Sequence, residues 1–182
     1  MKHLILVGAC YLDTILTVPH FPEEDSKLRA TSLSIRRGGN CPNSLEVLQQ
    51  LLSHSSSYSS SSSSSTSVAA AHSNDVKLHL VTCLPARSSS ATRRIASSFN
   101  TEGPVDVDLS HCLYREGHAE AASSYVVRSL ETGSRTMVNY SDLPEMSTAE
   151  FEMVARAFAS NKDAEDTWWH FEVREAHRER LS

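Results

Sequence analysis

The sequence is short of the residues on which most recognisable catalytic motifs depend: its 182 residues include six glycines and four cysteines. No glycine begins a phosphate-binding loop of the GxxxxGK or GxGxxG type. The cysteines form no CxxC pair and the nine histidines form no HExxH motif, so no metal site is indicated. Widely spaced cysteines are typical of small buried side chains in a reducing compartment, which predicts a cytoplasmic protein: Cys10, Cys41, Cys83 and Cys112.

The chain also lacks a basic patch and a long hydrophobic run. It carries 17 Lys and Arg against 22 Asp and Glu, for a net charge of −5. The pair Arg36–Arg37 is too short to form a nucleic-acid footprint, and no apolar stretch reaches the roughly 20 residues of a membrane-spanning helix. We therefore expect no nucleic-acid partner and no membrane partner. The length suits one α/β domain with its own core.

An apolar run from Leu4 to Cys10 opens the chain and admits two interpretations. It resembles a short signal segment, and its last four residues are similar to a lipoprotein cleavage site at Cys10. The run is at the short end for such a segment, however, and Asp13 follows almost at once. A strand at the centre of a sheet, buried on both faces, explains the same residues and is the interpretation that we prefer.

The most informative stretch is SIRRGGNCPNS, residues 34–44. Gly38 and Gly39 allow a sharp turn and close approach of a ligand to the backbone, and Asn40 and Pro42 are typical of the start of a helix. The apolar residues that follow recur at helical spacing and predict one apolar face: Leu45, Leu48 and Leu52, with Val47 and Leu51 beside them. A helix start with free N–H groups and asparagine amides suits polyhydroxylated or anionic ligands. A plain capped helix after a loop would give the same pattern.

Asp13 follows the predicted first strand. In an open parallel sheet, ligands bind outside the carboxyl ends of the strands, so Asp13 is a candidate ligand contact. A loop aspartate that caps a turn is the alternative. The segment from Leu28 to Arg37 alternates as a strand, and its position directly before the glycines predicts a flap over the site.

The remaining segments predict alternating strands and helices, apart from one polar tract. Residues 53–76 are dominated by serine and predict a disordered surface insertion; a phosphorylated segment and a mis-read intron are the alternatives. Strands are predicted over 76–84 and 168–174, a hairpin over 123–130 and 134–140, and a helix over 88–99. Ser147 and Glu150 form a capping box for a further helix that reaches Phe158.

The motifs GACYLD (8–13), PHFPEEDS (19–26) and RRGGNCPNS (36–44), in this order and spacing, resemble the start of the PfkB-type, ribokinase-like carbohydrate kinases. Within that family the chain is most similar to the ketohexokinases. RTMV at 135–138 and WWHFEVR at 168–174 resemble later segments of the family. The resemblance implies an α/β fold with a partial doubly wound, mostly parallel sheet and a small β lid.

The resemblance also implies a domain organisation and an activity. It assigns residues 1–52 and 77–174 to the kinase domain, with lid strands near 28–37 and 123–140. It implies ATP-dependent phosphorylation of a ketose such as fructose, with Mg²⁺, and homodimerisation through the lid. The residues that it places against the sugar are Asp13, Gly39, Asn40 and Asn43, and it makes Glu172 and Arg174 possible contacts to substrate or phosphate.

One feature of the family is missing. In these kinases the general base is an aspartate in a Gly-Ala-Gly-Asp motif, and none of the six glycines of this chain begins one. We therefore expect the N-terminal part of a kinase, with 175–182 as a truncated end, no catalytic base, and no residues of its own for ATP or Mg²⁺. Whether the chain is an enzyme stays open at this point. The alternative is a non-catalytic sugar-binding or dimerising module derived from such a kinase.

Overall fold

A computed structural model of the chain describes residues 2–58, 76–99, 105–159 and 166–172, with side chains described up to residue 53 in the first range. These ranges contain ten strands and three helices. In chain order they are β1 Lys2–Val7, β2 Tyr11–Val18, β3 Ser32–Gly38, α1 Asn40–Tyr58, β4 Val76–Val81, β5 Cys83–Pro85, α2 Ser90–Ser97, β6 Val107–Asp108, β7 Leu113–Arg115, β8 Ser123–Ser129, β9 Arg135–Tyr140, α3 Thr148–Ala159 and β10 Thr167–Phe171.

The main sheet is parallel, with strand order β10-β1-β4-β6. The prediction of a central first strand is confirmed, because β1 pairs with β10 on one side and with β4 on the other. The strand is shorter than the apolar run: it ends at Val7, and the chain bends at Gly8. Ile5 and Leu6 are 0% and 3% exposed, as a strand covered on both faces requires.

Helices cover both faces of the main sheet. On one face α1 and α2 bury a large apolar cluster that includes Leu6, Leu45 and Ile95. On the other face α3 buries a smaller cluster that includes Ile5 and Phe158. Successive side chains of β1 therefore enter different cores. This arrangement confirms the predicted doubly wound α/β fold.

A second sheet forms the lid, with strand order β3-β2-β8-β9. The predicted hairpin is confirmed, since β8 and β9 pair antiparallel, and the predicted flap strand is present as β3, which begins at Ser32 rather than Leu28. Strand β2 was not predicted. Asp13 therefore lies inside a strand, opposite Arg36 of β3 and Ser124 of β8, and not in a loop that caps a turn. A third, two-stranded parallel sheet joins β5 and β7.

Helix α1 differs from the prediction at its ends and on its buried face. It begins at Asn40, so Gly39 takes the capping position, and it continues to Tyr58. The interpretation of residues 53–76 as a disordered insertion is thus wrong for the helical residues 53–58 and for Val76 in β4, while 59–75 lie outside the described residues.

The buried face of α1 includes a polar residue that the apolar pattern did not predict. Val47 and Leu51 are 54% and 61% exposed, whereas Gln49 is 1% exposed. The Gln49 amide donates hydrogen bonds to the carbonyl oxygens of Phe99 and Val105, at 3.1 and 2.9 Å. This side chain satisfies two buried acceptors and fastens α1 to the segments on either side of residues 100–104.

Of the two adjacent arginines, only Arg36 is exposed. The Arg37 side chain is 3% exposed and pairs with Glu46 of α1 at 2.5 Å. Its guanidinium also donates to the hydroxyl of Ser98 and lies 4.2 Å from the ring centroid of Phe99. Arg37 is therefore a structural residue that joins β3, α1 and the end of α2.

The other two helices are both capped by a serine, and of these caps only that of α3 was predicted. The Ser89 side chain caps α2 by accepting from the backbone N–H of Thr92 at 3.0 Å. The capping box of α3 is formed in both directions: Glu150 accepts from the backbone N–H of Ser147 at 2.9 Å and donates its own N–H to the Ser147 hydroxyl at 3.3 Å.

Candidate functional site

The candidate site lies where the carboxyl ends of β1 and its two neighbouring strands meet. The N–H of Gly8 donates to the carbonyl of Val81 at the end of β4, and the N–H of Glu172 donates to the carbonyl of Val7 just after β10. These bonds bring Gly8 and Glu172 to the edge at which parallel sheets bind ligands. From Gly8 the chain passes directly into the lid sheet through β2.

Asp13 packs against the first glycine of the double-glycine turn. A Cβ atom added to Gly38 would lie 2.8 Å from the carboxylate carbon of Asp13, so a side chain there would force the carboxylate to move. Gly38 thus leaves room for the carboxylate of Asp13 in its present position. Asp13 is half-buried and is brought to the turn that precedes α1.

Gly39 fixes the direction in which α1 starts. Its φ of +102° is rarely adopted by residues with a side chain, and an added Cβ would collide with the carbonyl oxygen of Ala9. The Gly39 carbonyl accepts from the backbone N–H of Asn43 at 3.1 Å, which closes the first turn of the helix. Asn40 and Asn43 are both exposed in that turn.

Asn40 contacts Glu172 across 132 positions of sequence. The Asn40 amide donates from Nδ2 to Glu172 Oε1 at 2.9 Å. Oε2 of Glu172 is buried with no hydrogen-bond partner among the described residues, and an added Cβ on Gly8 would lie 2.9 Å from it. Gly8 is therefore the residue that makes room for Glu172.

Cys41 completes this corner as an inert thiol. It is fully buried, and its Sγ donates to the carbonyl of Val7 at 3.5 Å. Burial raises the pKa of the Cys41 thiol to about 11, and the negative charge of Glu172 adds to the effect. The protonated thiol is a packing group and not a nucleophile.

The structure thus brings together most of the predicted site residues. Asp13 and Asn40 lie on either side of the double glycine, and Glu172 bonds Asn40. Asn43 is placed in the same helical turn, with its side chain exposed. Arg174 lies outside the described residues. No contact shows these side chains binding a sugar, so their roles stay predictions.

A cavity of about 640 Å³ adjoins this corner, and the sequence did not predict it. Its volume falls in the range of small-molecule sites. Of the predicted site residues, only Glu172 lines it. Most of the rest of its wall comes from the turn between β1 and β2 with the first residue of β2, the start of β5, and the segment that enters α3, including Tyr11, Cys83, Met146 and Phe151.

Arg115 holds one wall of this cavity in place. Its guanidinium donates to both carboxylate oxygens of Glu150, at 2.5 and 3.0 Å, and to the carbonyls of Pro144 and Glu145 at 3.0 and 2.8 Å. The bond from Arg115 lowers the pKa of Glu150 to about 2, with help from the N–H of Ser147. Arg115 has no sequence signal of its own, because its partners lie about 30 residues further along the chain.

The described residues contain neither a cluster suited to a metal ion nor a helix suited to a bilayer. No group of three or more histidine, cysteine, aspartate or glutamate side chains in the described ranges is arranged to hold a metal ion. None of the helices in those ranges has the length and apolar character needed to cross a bilayer.

Comparison with known proteins gives matches in sequence and in fold. No protein-family profile matches the chain. Ketohexokinase of Mus musculus is 28% identical over 154 residues, which are 84% of this chain and 42% of that protein. The ribokinase of Arabidopsis thaliana, solved with ribose and ATP, superposes with a TM-score of 0.58 at 14% identity, over 85% of this chain and 42% of that one.

A nucleoside kinase of Methanocaldococcus jannaschii, described as an archaeal member of the ribokinase family, superposes with a TM-score of 0.51 at 18% identity, over 77% of this chain and 37% of that one. The chain spans less than half the length of each of these relatives. The two structures show that the fold is ribokinase-like, and the mouse enzyme adds similarity in sequence. Together they confirm the resemblance of this chain to the PfkB-type, ribokinase-like carbohydrate kinases, over part of the length of such a kinase.

Proposed function

We propose that the chain forms the acceptor-binding part of a carbohydrate kinase that phosphorylates a ketose such as fructose. The observation that carries the proposal is the hydrogen bond between Asn40 and Glu172 at the carboxyl end of β1. It joins the start of α1 to the end of β10, beside the glycine turn that holds Asp13. Asn40 and the possible substrate contact Glu172 thus meet at the carboxyl end of the main sheet, and Asp13 lies on the other side of the double glycine, in the lid sheet.

The chemistry of this corner suits a polyhydroxylated ligand. A carboxylate accepts hydrogen bonds from hydroxyl groups, and an amide both donates and accepts. Because Nδ2 of Asn40 already donates to Glu172, its carbonyl oxygen is left to accept from the ligand. In the proposed complex the side chains of Asp13, Asn40 and Asn43 hold the sugar hydroxyls, and Gly39 contributes a main-chain contact.

ATP and Mg²⁺ are assigned to the complete kinase and not to the residues described here. The chain contains no phosphate-binding loop, and no acidic cluster suited to a metal occurs in the described ranges. Phosphoryl transfer also needs a base and positive charge around the moving phosphoryl group. The contribution proposed for this chain is therefore orientation of the acceptor hydroxyl.

Replacement of Asp13 tests the acceptor site directly. Asp13→Asn keeps the size of the side chain but removes the charged acceptor, so we expect fructose affinity to fall at least about tenfold. Titration calorimetry with fructose on the full chain measures this. Asp25→Asn is the matched control, because Asp25 is an exposed loop residue away from the glycine turn. Equal affinities for the wild type and Asp13→Asn would remove Asp13 from the site.

A coupled assay of ADP release shows whether this polypeptide alone is a kinase. A kinase releases ADP in proportion to the fructose phosphorylated, whereas a sugar-binding module derived from a kinase binds fructose and releases none. The assay uses the full chain with ATP, Mg²⁺ and fructose. Because the contribution proposed for this chain is orientation of the acceptor, fructose binding without turnover is the expected result and fits both classes, whereas turnover would exclude the non-catalytic module.

We further propose that two copies of the chain associate through one face of the lid sheet. The strand register places six large apolar residues on that face, 38–65% exposed: Leu16, Leu33, Ile35, Tyr125, Val138 and Tyr140. Exposed apolar patches that cross a whole sheet mark interaction surfaces. Because side chains alternate along β2, Asp13 lies on the opposite face, so association leaves the acceptor site open.

A further inference from the structure

Three histidine rings surround Phe158 at the buried side of α3. The Phe158 ring centroid lies 6.2 Å from that of His3 in β1, 5.0 Å from that of His79 in β4, and 4.4 Å from that of His111 in the loop after β6. Phe158 is 4% exposed and is one of two buried residues through which α3 packs on the sheet. The docking of the C-terminal turn of α3 thus depends on three titratable rings.

His79 and His3 are joined by a hydrogen bond between ring nitrogens, which requires a proton on one of the two nitrogens and not on both. Their rings stack with centroids 5.1 Å apart, and His3 Nδ1 lies 2.9 Å from His79 Nε2. One of these nitrogens donates and the other accepts. If both nitrogens carry protons, two N–H groups face each other and the hydrogen bond is lost. Acid therefore acts directly on the contact beneath Phe158.

No free counter-charge is available to the cluster among the described residues. His79 is 2% exposed, and its Nδ1 faces Asp108 Oδ2 at 3.5 Å. Asp108 is already bonded by Lys77 at 3.0 Å and by the N–H of Ser110 at 2.8 Å. Burial alone would raise the pKa of Asp108, but the bonds from Ser110 and Lys77 outweigh it and hold that pKa below its usual range.

The charges that face His79 come from every neighbouring element except α3. His3 lies on β1, Lys77 on its own strand, Asp108 on β6 and His111 on the following loop. From α3 the ring meets Phe158, which is uncharged. Three groups that can carry a positive charge therefore surround His79, on His3, Lys77 and His111. The one carboxylate beside it, that of Asp108, is already bonded to Lys77 and Ser110.

We infer that His79, stacked on His3 and close to His111 around Phe158, forms an acid-sensitive latch that holds the C-terminal turn of α3 on the main sheet and releases it as the His79 ring protonates. The other end of α3 is fastened separately, because Glu150 in its first turn pairs with Arg115. Release therefore begins at Phe158 while the capped end stays attached. This inference does not depend on the proposed function.

The direction of the pH effect follows from where the proton binds. Burial lowers the pKa of His79 from 6.5 to about 4, so the docked ring stays neutral, whereas a released ring takes up a proton below pH 6.5. Docking therefore weakens as the pH falls from 6.5 to 4, and changes no further below that. From His79 alone, the ratio of docked to released α3 is expected to be about tenfold lower at pH 5.5 than at pH 7.5.

Hydrogen exchange and fluorescence on the full chain test the latch. Protection factors of the α3 amides, corrected for the intrinsic pH dependence of exchange, are compared with those of α2 between pH 7.5 and 5.5. In a Trp168→Phe background the remaining tryptophan is Trp169, whose ring lies 5.4 Å from that of Phe158 and reports its packing. We expect α3 protection to fall about tenfold, with α2 unchanged and Trp169 emission shifted to the red.

Two substitutions assign the effect to the cluster. His79→Phe keeps an aromatic ring but cannot protonate, so the pH dependence of α3 should disappear, while His20→Gln, at an exposed loop histidine, should retain it. Simultaneous loss of protection in α2 and α3 would overturn the inference, as would an unchanged pH dependence in His79→Phe. If His79→Phe does not fold, the comparison of α3 with α2 in the wild type decides alone.

Discussion

At the scale of single residues, the candidate site is organised by glycines that make room for other groups of the same chain. Gly8 admits Glu172, Gly38 admits Asp13, and Gly39 admits the carbonyl of Ala9. The double glycine was read from the sequence as space for a ligand. In the structure the space beside the two glycines is already occupied by atoms of the chain itself. One of these groups, the carboxylate of Asp13, is among the groups proposed to contact the ligand.

Gly39→Ala should be distinctly destabilising. The change places a side chain at φ +102° and drives its Cβ against the Ala9 carbonyl, so we expect a loss of about 2–4 kcal/mol in the free energy of unfolding. Urea denaturation followed by circular dichroism measures it. Gly133→Ala is the control, since φ is +68° there but nothing lies within 4 Å of the added atom, and about 1 kcal/mol is expected. Equal losses in the two variants would show that the Ala9 contact is unimportant.

At the scale of elements, side chains from remote strands position the segments around the cavity. Arg115 of β7 holds the start of α3 and the segment before it through Glu150, Pro144 and Glu145. The carboxylate of Glu150 also serves its own helix cap through Ser147. The ion pair between Arg115 and Glu150 therefore links β7, the segment that follows the lid hairpin and lines the cavity, and the first turn of α3.

Titration of Glu150 measures this link. Its lowered pKa, about 2 against an ordinary 4.5, means that the ion pair persists as the pH falls and is lost only near pH 2. In Arg115→Gln the main cause of the shift is gone, so the pKa of Glu150 should rise toward 4.5 in carboxyl-detected NMR. Arg156→Gln breaks only an exposed pair with Glu152, and in that variant Glu150 should titrate as in the wild type. A shift that survives Arg115→Gln would place its cause in the cap instead.

Elements with local signals were predictable from the sequence, and those defined by remote partners were not. The first strand, the β8–β9 hairpin and the Ser147 capping box each depend on neighbours within a few residues. Strand β2 depends on β3 and on the distant β8, and the polar Asp13 interrupts its apolar pattern. Gln49 was missed for a similar reason, because its two acceptors lie 50 and 56 residues away.

The candidate site likewise contains features that a local sequence motif predicted and features that depend on residues far apart in the chain. The glycine turn and the start of α1 were visible in the sequence as a local motif, and their sugar contacts were available only through the resemblance. The cavity, Arg115 and the histidine cluster were not predictable. Each of them is assembled from side chains on several strands that no spacing rule connects.

At the scale of the whole molecule, the lid sheet presents an apolar face to solvent across all four of its strands. Val138→Lys places a charge within that face, so the variant should be a monomer under conditions in which the wild type is a dimer. Sedimentation velocity measures the change. Met153→Lys substitutes an apolar residue that is just as exposed, 62% against 65%, but lies on α3, and it should remain a dimer. Dissociation of both variants, or a monomeric wild type, would contradict association through the lid.

Because β2 pairs with β8, the lid sheet cannot form until the chain has been synthesised as far as β8. The two strands are separated by more than a hundred residues, and Leu12 pairs with Ser123. A growing chain on the ribosome can form β2 early but cannot give it this neighbour until Ser129 has emerged, and closure of so long a loop is slow. The surface through which two copies would meet is therefore complete only once Tyr140 has emerged, after β1, α1, β4 and α2 but before α3 and β10, so the lid face is exposed while the main sheet still lacks its edge strand.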